Sequence, residues 1–589
     1  MNADILQVPG IILILTGLTF SFIPAWLRNT CVMSLPPVLL LHLWQRPDPD
    51  ISLNWLGFDL NLLHLSPGGM LFASVFLLAL WGGGIFALRD ASARELGAAY
   101  VYAGGAIGIT LCGDWISLFC FWELMALAST LIVWCGGQKD SERAGMRYLY
   151  VHLAGGVVLL AGISALAAQG NGMEFAPLES GSLAYWLVLA GIIINAGAPP
   201  FSFWVADAYP QASASGMVFL SAFTTKTAVF VLLSAFPGES LLIPVGVFMA
   251  FYGIIYALLE HDIRRILAYS IVNQVGFMLV AVGVGTPETL NGAHAHAVAH
   301  ILYKMALLMG AGTILRHMGT TDPSRLPPDL WRRLPVTGTC ILVGAAASMG
   351  VPFTSSFITK SVVLSGLAHA ELGLLWALML VCSAAVVFNA GMRFPWLALF
   401  SPAGSIADAE NNSGVSDPKG LTLAAMLGTA LICVLFGWIP GWFYTLLPYP
   451  GTYPPAYHPY GAAHLLEQVQ ILAVAGTVFW FTRRWFSARP GITLDFDWIF
   501  RVTLVRGWKG FLHSLSKLYA WGGKMLLDSR MRSFMLIFSL HGPRGILARS
   551  WHTGSIALWV ALMLASYILV YNFSAPSVFS TLRRLLLPD

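Results

Sequence analysis

Long apolar stretches, each about the length of a membrane-spanning helix, follow one another through most of this chain. A helix of about 20 apolar residues is long enough to cross a bilayer. The N-terminus carries Asp4 and no basic segment, so the first stretch is interpreted as a retained span and not as a cleaved signal. The second is short and contains Pro36 and Pro37. The sixteen predicted spans are 5–25, 31–44, 69–88, 97–113, 115–136, 145–168, 182–204, 213–236, 241–259, 264–286, 292–316, 336–369, 372–396, 421–446, 466–482 and 555–573.

Two of these spans contain the same interruption. The seventh includes Asn195-Ala-Gly-Ala-Pro-Pro-Phe-Ser202, and 153 residues later the twelfth includes Ser348-Met-Gly-Val-Pro-Phe-Thr354. Irregular backbone at membrane depth survives only inside protein or beside a water-filled cavity. Paired broken helices in corresponding positions indicate a transport site between repeats. A proline kink in an ordinary bundle is the alternative, which the recurrence disfavours. The two repeats are expected to have opposite orientations, because the breaks lie five spans apart.

The composition excludes whole classes of protein. The chain is 57% hydrophobic and 10% charged, with a mean hydropathy of +0.73, which is incompatible with a soluble globular protein. Its seven cysteines form no C-x-x-C pair, which argues against a disulfide framework, a zinc site and an iron–sulfur cluster. Neither a dinucleotide-binding glycine motif nor a P-loop is present. We therefore expect no cofactor, no metal and no nucleic-acid partner.

Basic residues collect on one side of the predicted membrane. The opposite side, up to the fifteenth span, has only Arg46 and many carboxylates. This asymmetry predicts that both termini lie on the non-cytoplasmic side, in what we expect to be a bacterial inner membrane. The basic residues of the predicted cytoplasmic side are Arg28, Arg89, Arg94, Lys139, Arg143, Arg147, Arg264, Arg265, Arg316, Arg325, Arg332, Arg333, Arg393 and Lys419.

Four ionisable side chains are predicted deep inside the spans: Glu123, Lys226, Lys304 and Lys360. Each costs about 2.5–3.5 kcal/mol to insert, so such groups indicate a charge or proton pathway. A buried acid needs a nearby cation, which makes Lys226 the predicted partner of Glu123. A static structural ion pair is the alternative reading of this pair.

A row of polar residues follows one face of the eleventh span. His296, His300 and Lys304 recur at i, i+4 and i+8 and therefore line one helical face over two turns. Histidine changes charge near neutral pH, so this row is suited to pass protons through bridging waters. The alternative is that each group is only hydrogen-bonded to neighbouring helices. His294 points elsewhere and is left out.

The character of the chain changes after residue 447. Residues 447–465 lack Lys and Arg and are predicted to form an external loop. Residues 483–554 mix aromatic and basic residues, which predicts an amphipathic segment on the cytoplasmic face, in contact with anionic lipid or a partner subunit. A merely solvated basic face is an equally good interpretation.

Several motifs, in order, resemble one family: the antiporter-like subunits of respiratory complex I and of Mrp-type cation/proton antiporters, among which the Mrp D subunit is the most similar. The resemblance covers about residues 60–450. The motifs are Phe121-Trp-Glu-Leu-Met-Ala-Leu-Ala-Ser129, the Gly197-Ala-Pro-Pro-Phe201 break with Trp204-Val-Ala-Asp207-Ala-Tyr209, Thr224-Thr-Lys226, the segment from Asp262 to Met278, His300-Ile-Leu-Tyr-Lys304 and the segment from Gly350 to Lys360.

The resemblance implies an all-α membrane protein with a 14-helix core, two inverted five-helix repeats and broken helices 7 and 12. It also implies a central axis of a fifth-helix glutamate, matched by Glu123, and lysines on the eighth, eleventh and twelfth helices, matched by Lys226, Lys304 and Lys360. The expected division of the chain is 1–96 for N-terminal helices, 97–236 and 241–400 for the two half-channels, 401–482 for further helices, 483–554 for the amphipathic segment and 555–589 for the last helix and tail.

One position departs from the family pattern. Members commonly have a lysine just before the seventh-helix break, where this chain has Asn195, and a histidine after it, where this chain has Ser202. Asparagine binds water but holds no mobile proton. We therefore expect the first half-channel to be altered, leaky to a different ion or silent, with Lys226 as a candidate substitute carrier.

Four functions are compatible with these features. The first is the proton-translocating subunit of a multisubunit Mrp-like Na+ (or other monovalent cation)/H+ antiporter, with other membrane subunits as partners. The second is the pumping arm of a redox complex of the complex I, formate hydrogenlyase or hydrogenase type. The third is the membrane subunit of an inorganic-carbon uptake system. The fourth is an assembly scaffold with a decayed channel, which only Asn195 supports.

Overall fold

The computed structural model describes residues 6–45, 50–55, 57–170, 172–400, 415–451, 458–485 and 553–574, together with 495, 498, 506–507, 509–510, 512–514 and 539. The chain divides into two compact units. One comprises Met1–Leu53 and Asp59–Phe496, and the other comprises Asn54–Phe58 and Asp497–Asp589. Most of the predicted amphipathic segment 483–554 lies outside the described residues.

Helices make up nearly all of the first unit. A small sheet pairs β1 (Ile51–Trp55) with β2 (Phe58–Leu63). The helices up to the first break and through the first repeat are α1 (Pro9–Thr19), α2 (Ala25–Gln45), α3 (Pro67–Ala87), α4 (Ala93–Leu111), α5 (Trp115–Trp134), α6 (Ser141–Ala168), α7 (Leu183–Ala196), α8 (Phe203–Ala208), α9 (Gly216–Ala222) and α10 (Thr224–Ala235). Those that follow are α11 (Leu242–Leu259), α12 (Ile263–Val284), α13 (Pro287–Met318), α14 (Leu330–Arg333), α15 (Pro335–Met349), α16 (Ser355–His369), α17 (Gly373–Val386), α18 (Phe394–Leu399), α19 (Leu421–Trp438), α20 (Pro440–Thr445), α21 (Ala462–Thr482) and, in the second unit, α22 (Thr553–Ser574).

Ten helical stretches of the described chain are long and apolar enough to cross a membrane, against sixteen predicted spans. Two of the ten combine consecutive helices, namely Gly216–Ala235 (α9 and α10) and Gly373–Leu399 (α17 through α18). The other six predictions fall on helices that are shorter, less apolar or interrupted. The predicted span 5–25 contains only the 11-residue α1, whereas the predicted span 31–44 belongs to the longer α2, which accommodates Pro36 and Pro37 inside its 21 residues. An integral membrane protein is nevertheless the only class that fits ten such helices.

Both predicted breaks are present. Helix α7 ends at Ala196 and α15 at Met349, and the next residue, Gly197 or Gly350, is left-handed with φ of +80° or +74°. Only glycine adopts this conformation at little steric cost, so both helices end there. The chain resumes as α8 and α16, and the twelfth span, predicted as one segment, therefore consists of two half-helices.

The eighth span has a third interruption that contains neither glycine nor proline. Helix α9 ends at Ala222 and α10 begins at Thr224, with Phe223 between them at φ −102° and ψ −73°. The backbone N–H of Thr224 donates to the Tyr102 hydroxyl at 2.9 Å instead of to an earlier turn of its own helix. Side chains from outside the helix therefore stabilise this break.

Two arginines assigned above to the predicted cytoplasmic side are buried inside the bundle. The Arg264 guanidinium is 1% exposed and donates to the backbone carbonyls of Pro210, Ala212 and Ser213 at 2.8–3.0 Å. Arg393, in a π-helical stretch over Val387–Arg393, donates to two carbonyls at the end of α11. Both side chains donate to buried backbone carbonyls at a helix end or in a loop between helices, so they are structural as well as charged.

Candidate functional site

All three predicted membrane lysines are buried, and each donates to a backbone carbonyl. Their exposures are 0% for Lys226 and Lys304 and 3% for Lys360. A buried ammonium is costly unless its N–H groups have acceptors. The acceptors come from places where a helix ends, is interrupted or packs closely against the lysine.

Lys226 bonds to the interruption of its own span. Its Nζ lies 2.7 Å from the carbonyl oxygen of Ser221 and 3.1 Å from the Thr225 hydroxyl. The predicted ion pair between Glu123 and Lys226 is wrong: the described part of the chain holds no such contact, and Glu123 Oε1 has no hydrogen-bond partner there. Because the helix stops at Phe223, the free carbonyl of Ser221 is the nearest acceptor.

Lys360 bonds to the second break. Its Nζ donates at 3.0 Å to the carbonyl oxygen of Ser348, in the last turn of α15. Helix C-terminal carbonyls carry partial negative charge, which favours a cation there. All four final carbonyls of α15 have donors, namely Val351 N, Gly350 N, Lys360 Nζ and Gln468 Nε2.

Lys304 lies in the unbroken helix α13 and reaches across to α12. Its Nζ donates to the Ser270 hydroxyl at 2.8 Å and lies 3.3 Å from the Leu267 carbonyl oxygen. Both acceptors belong to the segment that the family motif covers. The Ser270 hydroxyl can bond to Lys304 in both protonation states. It accepts from the ammonium, and it can donate to the nitrogen of the neutral amine.

The predicted face of α13 is buried as a row. His296 Nε2 lies 2.8 Å from Gln274 Oε1, and His296 Nδ1 lies 3.0 Å from the Thr359 hydroxyl. His300, one turn on, is 0% exposed, and neither of its ring nitrogens has a hydrogen-bond partner in the described part of the chain. Buried polar atoms of this kind are usually satisfied by water, so the row is suited to hold a water-mediated relay.

His300 occupies the middle of this row, one helical turn from His296 and one from Lys304 on α13. The rings of His296 and His300 have centroids 6.3 Å apart. The structure therefore brings the predicted lysines and histidines of the later spans into one buried polar axis.

Glu123 belongs to a separate part of the site, between α5 and α6. It is half-buried, and its Oε1 lies against the backbone of Gly156 so closely that a Cβ there would be 1.9 Å away. Only glycine leaves room for the carboxylate in this position. Asn195 is fully buried, and its Nδ2 donates to Gly191 at 3.2 Å, while its Oδ1 is unpartnered among the described residues.

Sequence reasoning missed His152, on α6. It is 1% exposed, lies against Asn195, and packs against the rings of Tyr148 and Trp204 with centroid distances of 4.0 and 4.6 Å. Its Nε2 has no hydrogen-bond partner within the described ranges. A histidine in the middle of the predicted span 145–168 was the available signal.

Two cavities are formed by the described residues, and one of them reaches the axis at Lys360. One, of about 380 Å³, is lined by Lys360, Ser361, Ser365, His464 and Glu467 among others. The second cavity, of about 500 Å³, is lined by Asp90, Glu95, Ser213, Ser215 and Arg316 among others, and the Glu95 carboxylate accepts from both serines at 2.5 and 2.7 Å. Over the described residues, no group of three or more His, Cys, Asp or Glu side chains is arranged to hold a metal ion.

A sequence profile described as "NADH:quinone oxidoreductase/Mrp antiporter, TM" matches residues 112–386, the segment that contains both breaks and every group of the axis. This segment belongs to that family. The family resemblance proposed from the motifs is thereby confirmed for residues 112–386, called the antiporter-like segment below.

Known relatives of the antiporter-like segment come from both branches of the family. The M subunit of the NADH-quinone oxidoreductase of Pseudomonas aeruginosa is 25% identical over 71% of this chain and 89% of its own length. The D subunit of the Na(+)/H(+) antiporter of Alkalihalophilus pseudofirmus is 27% identical over 44% of this chain and 56% of its own. A chain of the Mrp complex of a Dietzia species superposes with a TM-score of 0.72 at 21% identity, covering 90% of this chain and 61% of that one. The antiporter-like fold is therefore shown, and the match spans only about half the length of the Na(+)/H(+) antiporter relative.

Proposed function

We propose that this chain is the proton-translocating membrane subunit of a multisubunit Mrp-like antiporter that exchanges Na+ or another monovalent cation for H+. The observation that carries the proposal is the burial of three membrane lysines together with the buried row of His296, His300 and Lys304 on one face of α13. Uncompensated ionisable groups at membrane depth are retained where they move charge. The Na(+)/H(+) antiporter relatives favour the cation/proton exchanger among the functions open to this fold.

The contacts of the lysines suggest how a proton is handed along. Each ammonium is held by carbonyl or hydroxyl oxygens and not by a carboxylate, so no fixed ion pair has to break when the proton leaves. A proton arriving at one lysine disfavours a proton on the next, because the like charges of Lys226 and Lys304, and of Lys304 and Lys360, repel each other across the buried interior. Proton loading at one end of the axis thereby favours release at the other.

The two cavities fit the two ends of such a route. The cavity beside Lys360 extends to His369 and Glu467, at the end of α16 that the charge pattern assigns to the non-cytoplasmic side. The cavity beside Glu95 lies near the basic residues assigned to the cytoplasm. We infer uptake and release at these two openings, with both termini outside the cytoplasm of a bacterial inner membrane.

The proposal is tested in everted membrane vesicles that contain the whole complex, with a pH-sensitive dye reporting cation-driven proton movement. Lys304→Ala is expected to reduce exchange by about 10²-fold, as removal of a proton-transferring group does. The exposed Lys139→Ala is the matched control and keeps the wild-type rate. Full exchange by an assembled Lys304→Ala complex contradicts the proposal.

A second candidate is the proton-pumping subunit of a complex I-like or hydrogenase-type redox complex. The match over 89% of a quinone oxidoreductase subunit favours it. In this case other subunits would carry the redox centres. Mass spectrometry of the gently solubilised complex distinguishes the two, because co-purifying iron–sulfur or flavin subunits indicate the redox complex, and small iron-free membrane subunits indicate the antiporter.

A further inference from the structure

We propose that His152 is the proton carrier of the first half-channel, in the role that Asn195 cannot fill. This inference rests on the proposed function and assigns a residue that neither the motifs nor the family pattern indicates. Asn195 has no group that holds a mobile proton, whereas an imidazole takes up and releases one near neutral pH.

The repeat relation places His152 opposite a membrane lysine. Helices α7 and α15 begin 152 residues apart, at Leu183 and Pro335, and α8 and α16 begin 152 residues apart, at Phe203 and Ser355. The breaks themselves, at Gly197 and Gly350, lie 153 residues apart, so the repeat offset places His152 on α6 within one residue of Lys304 on α13, the long helix that precedes the second break. The first repeat therefore has a titratable group at the position of the second repeat's lysine.

The face of α6 that bears His152 also meets Glu123 and Asn195. His152, Gly155 and Gly156 are spaced i, i+3 and i+4 and so lie on one side of the helix. A Cβ at Gly155 would lie 2.9 Å from Asn195 Nδ2, and one at Gly156 would lie 1.9 Å from Glu123 Oε1. Two glycines thus open this face to the glutamate of α5 and the asparagine of α7.

Three buried polar atoms on this face have no hydrogen-bond partner among the described residues: Glu123 Oε1, His152 Nε2 and Asn195 Oδ1. Three such atoms around one helix face make a polar site large enough in donors and acceptors for bridging water. A proton on the Glu123 carboxyl can move through such water to His152 Nε2, which leaves the carboxylate anionic and the ring cationic.

On its other side the His152 ring packs against a tyrosine that contacts the interruption of the eighth span. It packs on Tyr148, whose hydroxyl lies 2.9 Å from Ser129 Oγ and 3.3 Å from Thr224 Oγ1. Thr224 begins α10 at the interruption that also holds Lys226. The ring returns to neutrality when its proton passes to an unprotonated Lys226, which becomes an ammonium. The Glu123 carboxylate then takes up one proton, so one proton enters at Glu123 for each that reaches Lys226.

The other groups that face the ring come from α7 and α8. Trp204 of α8 covers it edge-on, with ring planes at 69°, and Asn195 of α7 lies beside it. The Arg147–Asp207 ion pair, with an N–O distance of 2.6 Å, joins α6 to α8 and neutralises both charges. Among the described residues, the Glu123 carboxylate of α5 is thus the charged group without an ion-pair partner on this face.

The test uses the complete complex in everted vesicles, with assembly checked by co-purification. His152→Gln is expected to lower exchange by about 10²-fold, and adding Asn195→Lys to that variant is expected to restore most of it by returning a carrier to the break. The buried His294→Gln, outside this face, is the matched control and exchanges at the wild-type rate.

A packing role for His152 predicts a different pattern. An assembled His152→Gln complex with unchanged exchange overturns the inference, as does a double variant that stays inactive while assembled. Failure of His152→Gln and His152→Asn to assemble also overturns it, because the histidine is then needed for packing. Exchange retained by an assembled Lys304→Ala complex contradicts the proposed function itself. Exchange retained by the His152→Gln complex, when the Lys304→Ala complex has lost it, contradicts only the role of His152.

Discussion

The ammonium of Lys360 and the carbonyl of Ser348 are joined by a 3.0 Å hydrogen bond across the second helix break. The break leaves this carbonyl without a helical N–H donor, and the ammonium of the lysine that follows on α16 donates to it instead. The broken helix and the membrane lysine are therefore parts of one arrangement, in which irregular backbone stabilises a buried cation.

Replacing Lys360 by alanine is expected to abolish exchange while the complex still assembles. The Ser348 carbonyl loses its donor, at a cost of about 1–3 kcal/mol in stability. Vesicle exchange and the thermal stability of the solubilised complex measure the two effects. Normal exchange together with lowered thermal stability in this variant would show that Lys360 has a structural role only.

Gly156→Ala is expected to reduce exchange by about 10²-fold. The added methyl group would lie 1.9 Å from Glu123 Oε1, so the carboxylate has to move away from α6. Gly428→Ala, on α19 where an added Cβ meets nothing within 4 Å, is the matched control. Equal exchange rates in the two variants would show that the position of the carboxylate is unimportant.

Ser270→Ala is expected to reduce exchange less than Lys304→Ala does. It removes the 2.8 Å hydroxyl partner of the lysine but leaves the Leu267 carbonyl in place. Dose–response curves for the driving cation in the two variants provide the comparison. A serine variant as inactive as the lysine variant would instead make the hydroxyl an obligatory part of the relay.

Arg264→Met is expected to destabilise the complex, by about 1–3 kcal/mol for each buried carbonyl left without a donor. The guanidinium donates to three carbonyls, of which that of Ala212 has no other donor among the described residues. The carbonyl of Pro210 also accepts from the Gln138 amide, and that of Ser213 from the Met217 N–H. The exposed Arg332→Met is the control, and the thermal unfolding of the solubilised complex is the measurement. Equal stability of the two variants would contradict the structural role assigned to Arg264.

Much of the architecture could be predicted because it depends on local chemistry. The two Gly-x-Pro stretches predicted both breaks. A left-handed glycine after the last helical residue ends a helix by a local effect, which does not depend on contacts with distant segments. The spacing of His296, His300 and Lys304 predicted one helical face, and the structure places these residues there as a buried row.

The features that could not be predicted depend on contacts between distant segments. The interruption at Phe223 has no local signal, because the Tyr102 hydroxyl and the Lys226 ammonium take the places of its helical bonds. The predicted ion pair of Glu123 and Lys226 is wrong because this interruption supplies Lys226 with the Ser221 carbonyl as an acceptor. His152 could have been found by applying the offset between the repeats, 152–153 residues, to Lys304, because this offset leads to within one residue of the histidine.

The most direct test of the proposed function is proton flux in liposomes that contain the purified complex, driven by an imposed cation gradient. We predict rapid proton movement with the wild-type complex and none above background with an assembled Glu123→Ala complex. Equal flux in both, or no flux in the wild type with either Na+ or K+, would contradict proton translocation through this chain.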